Sequence, residues 1–161
     1  MISTVNRVPA QTSPHVNEMI RRQTEANIKY YSRRGPAAIE ARLKELDEEW
    51  DIERMLEANA AIASLVGVTL GATVSRRWLI FPAAVAGFLL LHAVQGWCPP
   101  VPVFRRLGVR TASEIDHERY ALKALRGDFN GLFPLPTAGR SVIAHQALEA
   151  ARSNHRFNGM E

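Results

Sequence analysis

Two side chains in the stretch LLLHAVQGWCPPVPVFRRLG, residues 89–108, could do chemistry: His92 and Cys98, the only cysteine in 161 residues. A thiol followed by Arg105 and Arg106 could relay sulfur or act as a redox group, because nearby cations favour the thiolate. His92, set in an apolar run, is a candidate base, or a haem or metal ligand shared between two chains, because an ionisable side chain is costly in such surroundings. The spacing argues against joint action. Six residues separate the two, which puts them on different faces of a helix, and no acidic residue in the run is placed to orient a base. Cys98 also falls at the C-terminal end of the preceding helix, where the dipole disfavours an anion. The simplest expectation is a neutral imidazole bonded to a neighbouring helix and a small buried cysteine in a Cys-Pro turn. Cys98 is the one candidate for catalysis, and no cofactor or metal is expected. A single cysteine excludes an intrachain disulfide and a multiple-cysteine zinc site within the chain.

The elements that would position these residues follow from where charge is absent. Residues 58–75, ANAAIASLVGVTLGATVS, hold no charged residue, and neither do residues 78–104. The first window spans roughly 27 Å as a helix, against a hydrocarbon core of about 30 Å. The second window places Trp78 and Trp97 at the two ends of an apolar span, as membrane interfaces favour. Ala63, Gly67 and Gly71 recur every four residues, a small-residue groove that lets another helix approach closely. Ser75-Arg76-Arg77 leaves room only for a tight turn. The expected fold is therefore all-α: a two-helix transmembrane hairpin over 58–97, with spans 58–75 and 78–97, flanked by amphipathic cytoplasmic helices. Arg42, Lys44, Arg54, Arg105, Arg106 and Arg110 outnumber Arg76 and Arg77 at the other end, so the positive-inside rule puts both termini in the cytoplasm.

Four further segments complete the expected organisation. Residues 1–35 begin with a structureless polar stretch to about residue 12. Ser13-Pro14 then opens a helix and Arg33-Arg34-Gly35 stops it. Residues 36–57 form an amphipathic acidic helix, with Ile39, Leu43, Leu46 and Trp50 on one face, which would dock a partner. No glycine or proline interrupts it before the first span, so it is expected to run on into that span. Residues 98–127 hold the Cys-Pro exit, an apolar loop over 101–109, and a helix over 112–126 opened by a Thr111–Glu114 capping box. Residues 128–161 read as a loop and a short helix over 140–153. Arg105, Arg106 and Arg110 would meet anionic lipid head groups. The net charge of +4 does not point to nucleic acid, because the densest charge block, residues 37–57, has three basic and eight acidic residues. No apolar run near residue 1 suggests a cleaved signal peptide.

A helical span, a short basic turn and a second span ending on Gly96, Cys98 and Pro99, then Phe104, Leu107 and Gly108, resemble the YgaP-like inner-membrane transmembrane domain over about residues 52–110. The resemblance implies a small bacterial inner-membrane hairpin that dimerises, fused in its best-known arrangement to a rhodanese sulfurtransferase. This chain departs from that arrangement. It has no second cysteine and no α/β pattern, and Pro100, Pro102 and Arg105-Arg106 interrupt the segment after Cys-Pro. Sulfurtransferase activity is therefore not carried over. The expected function is a non-enzymatic membrane-anchored module for homodimerisation or for docking a membrane or cytoplasmic protein. The alternative is a sulfur-relay or redox protein using Cys98 with a rhodanese-type partner.

Overall fold

A computed structural model describes residues 6–129. The readings of a loop over 130–139 and a helix over 140–153 lie outside them. The described chain runs α1 (Arg7–Ala10), α2 (Pro14–Ser32), α3 (Pro36–Glu48), α4 (Ile52–Thr73), a 3-10 turn (Arg76–Leu79), α5 (Ile80–Gln95), α6 (Val101–Arg106) and α7 (Ala112–Arg126). Several boundaries follow from local chemistry. Pro14 and Pro36 occupy the first turns of α2 and α3, where a missing N–H costs nothing. Gly35 precedes α3 with φ 85°, a left-handed geometry that glycine tolerates. Thr111 and Glu114 form the reciprocal capping box at the start of α7.

Two helices are long and apolar enough to cross a membrane. The first is not continuous with α3, contrary to the expectation above. Glu49–Asp51 break the chain: the Asp51 carboxylate caps the Arg54 N–H at 2.8 Å, and the Ile52 N–H donates to the Arg110 carbonyl at 2.8 Å instead of to its own helix. The 22 residues of α4 are about 33 Å long.

The glycine groove of α4 is filled within the chain. A Cβ on Gly67 would lie 2.6 Å from Pro82 Cδ, and one on Gly71 would lie 2.5 Å from Leu79 Cδ2. Since Gly71 faces Leu79 and Gly67 faces Pro82, α4 and α5 run antiparallel. Ala63 lies on the same side, half-buried.

On the other side of the Glu49–Asp51 break, α2, α3 and α7 pack as a bundle. Ile39, Leu43 and Leu46 are buried against Ile115 and Leu122, with Tyr31 alongside. The face read as a docking surface is thus largely closed by α7. Only Trp50 stays exposed, with the Arg54 guanidinium 4.2 Å from its ring centre. A second core of Val8, Ile52, Leu56, Cys98 and Val101 ties α1, the Cys-Pro turn and α6 to the base of α4.

Two more readings need correction. Residues 7–10 are not structureless; they form a helical turn that buries Val8. Residues 101–106 are helical, with Pro100 as the N-cap and Pro102 in the first turn. Neither segment is long enough to display a helical period. Both are held by contacts with distant parts of the chain.

Candidate functional site

The base of the antiparallel pair gathers the candidate chemistry. His92 is 3% exposed, and its Nε2 lies 2.7 Å from Glu53 Oε2. A carboxylate only accepts, so the shared proton sits on Nε2. Nδ1 is buried without a hydrogen-bond partner. The other Glu53 oxygen accepts from Arg7 at 2.8 Å, and Arg7 also donates to the Ala93 carbonyl at 3.1 Å. One carboxylate therefore ties α1, α4 and α5 together. Gly96 makes this closure possible: it ends α5 with φ 78°, and a Cβ there would lie 2.5 Å from the Arg7 backbone. The helix-to-helix partner expected for His92 is thus Glu53. The sequence reading missed it because Glu53 lies outside the apolar run, 39 residues away.

Cys98 is buried beside Val8, Leu56 and Val101, and burial pushes its thiol pKa up. Neither position nor electrostatics activates it: the cations that follow it in sequence are turned elsewhere, and His92 is engaged by Glu53. In the folded chain, a membrane-impermeant maleimide is expected to leave Cys98 unlabelled from either face and to label it fully after denaturation. Rapid labelling of intact membranes would restore Cys98 as a reactive candidate.

The arginines expected at lipid head groups divide. Arg105 is 0% exposed and holds Glu114 through both guanidinium nitrogens, at 2.6 and 2.8 Å, while Asn17 accepts a third bond at 2.9 Å. Arg110, also buried, grips Glu49 at 2.6 and 2.8 Å and Glu118 at 2.5 Å. Neither is available to lipid, because each neutralises a carboxylate within the bundle. Arg106 is exposed and makes no ion pair among the described residues. Glu118 also accepts from Arg42 at 2.8 Å and from Asn27 at 3.3 Å. Burial alone would raise the Glu118 and Glu114 pKa values. The hydrogen bonds and charges of their arginines outweigh it, and both carboxyls are held below the ordinary value.

A cleft of about 240 Å³ runs between α4 and α5 toward the Cys-Pro turn. Its lining includes Asn59, Ala63, Phe88, Leu89, Pro99 and Pro100, and it presents no paired acid and base. Of the residues carrying the family resemblance, Gly96 and Cys98 are buried, Pro99 lines this cleft, Leu107 is exposed, and Gly108 ends the α6 turn with φ 86°. Comparisons with models of protein families, with characterised proteins and with solved structures find no match.

Proposed function

We propose that this chain is a membrane-anchored, non-enzymatic helical module. In this reading α4 and α5 form a hairpin across the cytoplasmic membrane of a bacterium, both termini face the cytoplasm, and the α2–α3–α7 bundle lies there, with Trp50 the part of the expected docking face left exposed to a partner. One observation carries the reading. The apolar surfaces of α4 and α5 face outward: within the apolar window of the second helix only 6% of residues are buried, and 22% in the first. Ile62, Leu65, Ile80, Leu90 and Val94 are each more than three-fifths exposed. A soluble core helix of this composition would hide such residues, and helices that are apolar all round belong in a core or a bilayer.

The test is fractionation of cells expressing the full chain. The protein is expected in the membrane pellet, resistant to alkaline carbonate and released by detergent. A monodisperse soluble protein without detergent would overturn the reading. Homodimerisation remains part of the proposal on the resemblance alone, since Gly67 and Gly71 already pack within the chain. The burial of Cys98 and its raised thiol pKa favour this reading over the sulfur-relay alternative.

A further inference from the structure

The contact between α4 and α5 is uneven along its length. Toward the turn that joins them, large residues fill the space beside small ones: Leu79 lies against Gly71 and Pro82 against Gly67. At the base the helices are tied again, by His92 and Glu53 at 2.7 Å. Between these two ties the facing side chains are small. Ala60 and Ala63 of α4, with Ala84 and Val85 of α5, line the gap that results, the cleft of about 240 Å³.

The cleft has a direction and a length. Cys98 and Pro99 line its base end. On α5 its wall runs from Phe81 to Leu89, and on α4 from Leu56 to Ala63, about 12 and 10 Å of helix. It starts level with Glu57, the last charged residue before the apolar run of α4, and extends inward from there. In the membrane reading this path leads from the polar boundary toward the midplane. One leaflet of a hydrocarbon core about 30 Å thick is about 15 Å deep, so the cleft matches most of one lipid chain. Its walls carry no charge, and Asn59 is exposed at the rim. A gap in a close-packed structure forfeits dispersion contacts, and a hydrocarbon chain lying along the helices restores them. A helix of a second copy is about 10 Å across, and the ties at Gly67 and His92 hold α4 and α5 too close to admit one between them.

We propose that this cleft binds one acyl chain of a glycerophospholipid from the leaflet on the base side. The chain lies between α4 and α5 against Ala63, Val85 and Leu89, with its head group outside the cleft beside the Cys-Pro turn. The site rests on the membrane reading above.

The test uses phosphatidylcholine that carries a diazirine in the middle of one acyl chain. The full-length protein is reconstituted in vesicles of this lipid and illuminated, and the adducts are mapped by peptide mass spectrometry. Ala63, Val85 and Leu89 are half-buried, whereas Ile62 and Leu90 are 66% and 67% exposed on the outer faces. Passing lipid would label residues in proportion to exposure. A held chain reverses that order: adducts at Ala63, Val85 and Leu89 are expected to exceed those at Ile62 and Leu90 several-fold. Ala84→Phe and, from the other wall, Ala63→Phe fill the cleft. Each should bring the adducts at Val85 and Leu89 below those at Ile62 and Leu90. Wild-type labelling that simply follows exposure would overturn this inference alone, whether or not the variants fold. Cleft labelling that survives both substitutions, in chains that still float with the vesicles, would overturn it too. A wild-type chain that does not float with the vesicles would overturn the membrane reading itself.

Discussion

Glu118→Ala is expected to cost the bundle about 1.5–3 kcal/mol, because it removes the buried acceptor that Arg42 and Arg110 share and leaves them only the more exposed Glu45 and Glu49. The carboxylate is 0% exposed and is the shared acceptor of α7 for Arg42 from α3, Asn27 from α2 and Arg110. Glu45→Ala is the control. Glu45 also bonds Arg42, at 2.9 Å, but its side chain is 59% exposed, so its loss should cost no more than about 1 kcal/mol. Urea titration of the detergent-solubilised chain, read by hydrogen exchange in α2, α3 and α7, separates the two. Equal effects would mean that Glu118 acts as a surface group. The same carboxyl sets a pH dependence. Its folded pKa is lowered from 4.5, so its contribution is complete above that unfolded value and is lost as pH falls through the lower folded value. The wild-type bundle should therefore keep its urea midpoint from neutrality down to about pH 5 and lose it progressively as pH falls below 4.5. Glu118→Ala should flatten that acid limb.

Glu114→Ala is expected to be more damaging, about 3–5 kcal/mol, and to exceed Arg105→Met. The asymmetry comes from burial. Arg105 is buried, whereas the Glu114 side chain is 23% exposed. Removing the carboxylate leaves a buried cation with only the neutral acceptors Asn17 and the Val109 carbonyl; removing the guanidinium leaves a carboxylate that still accepts the Thr111 N–H at 2.8 Å. The double variant Arg105→Met with Glu114→Ala should recover much of the loss, since removing both members of a buried pair strands neither charge. Thermal unfolding of the four chains forms a double-mutant cycle. If Arg105→Met were the worse single change, the energetic logic of the pair would be reversed.

What could be read in advance, and what could not, divides along one physical line. Helix starts and stops are local events. Ser13-Pro14, Gly35-Pro36, the Thr111–Glu114 box and Gly127 each satisfy or release backbone groups within a few residues, and all four lie where their chemistry puts them. The two apolar helices were legible because missing charge is visible in any window. The stripe at Ile39, Leu43 and Leu46 was also legible as a buried face, but periodicity states that a face is covered, not by what. Its cover, α7, lies some 70 residues on. The same holds for Arg105 and Arg110, whose type suggested lipid and whose partners are carboxylates. The break before α4 had a signal that went unused: Asp51 is a good N-cap and Glu53 an acidic first-turn residue. The seating of Arg7 and the burial of Val8 had none, because a four-residue turn has no period.

The position of Arg7 also dictates an order in time. Its three anchor points, Glu53, Ala93 and the space beside Gly96, come 46 to 89 positions later in the chain. During synthesis at about 5–20 residues per second, the Arg7 turn must wait about 4 to 18 seconds for the last part of its seat. It can settle only after both apolar helices exist and have come together. The turn around Arg7 is thus locked only after the helices that hold it have formed and paired.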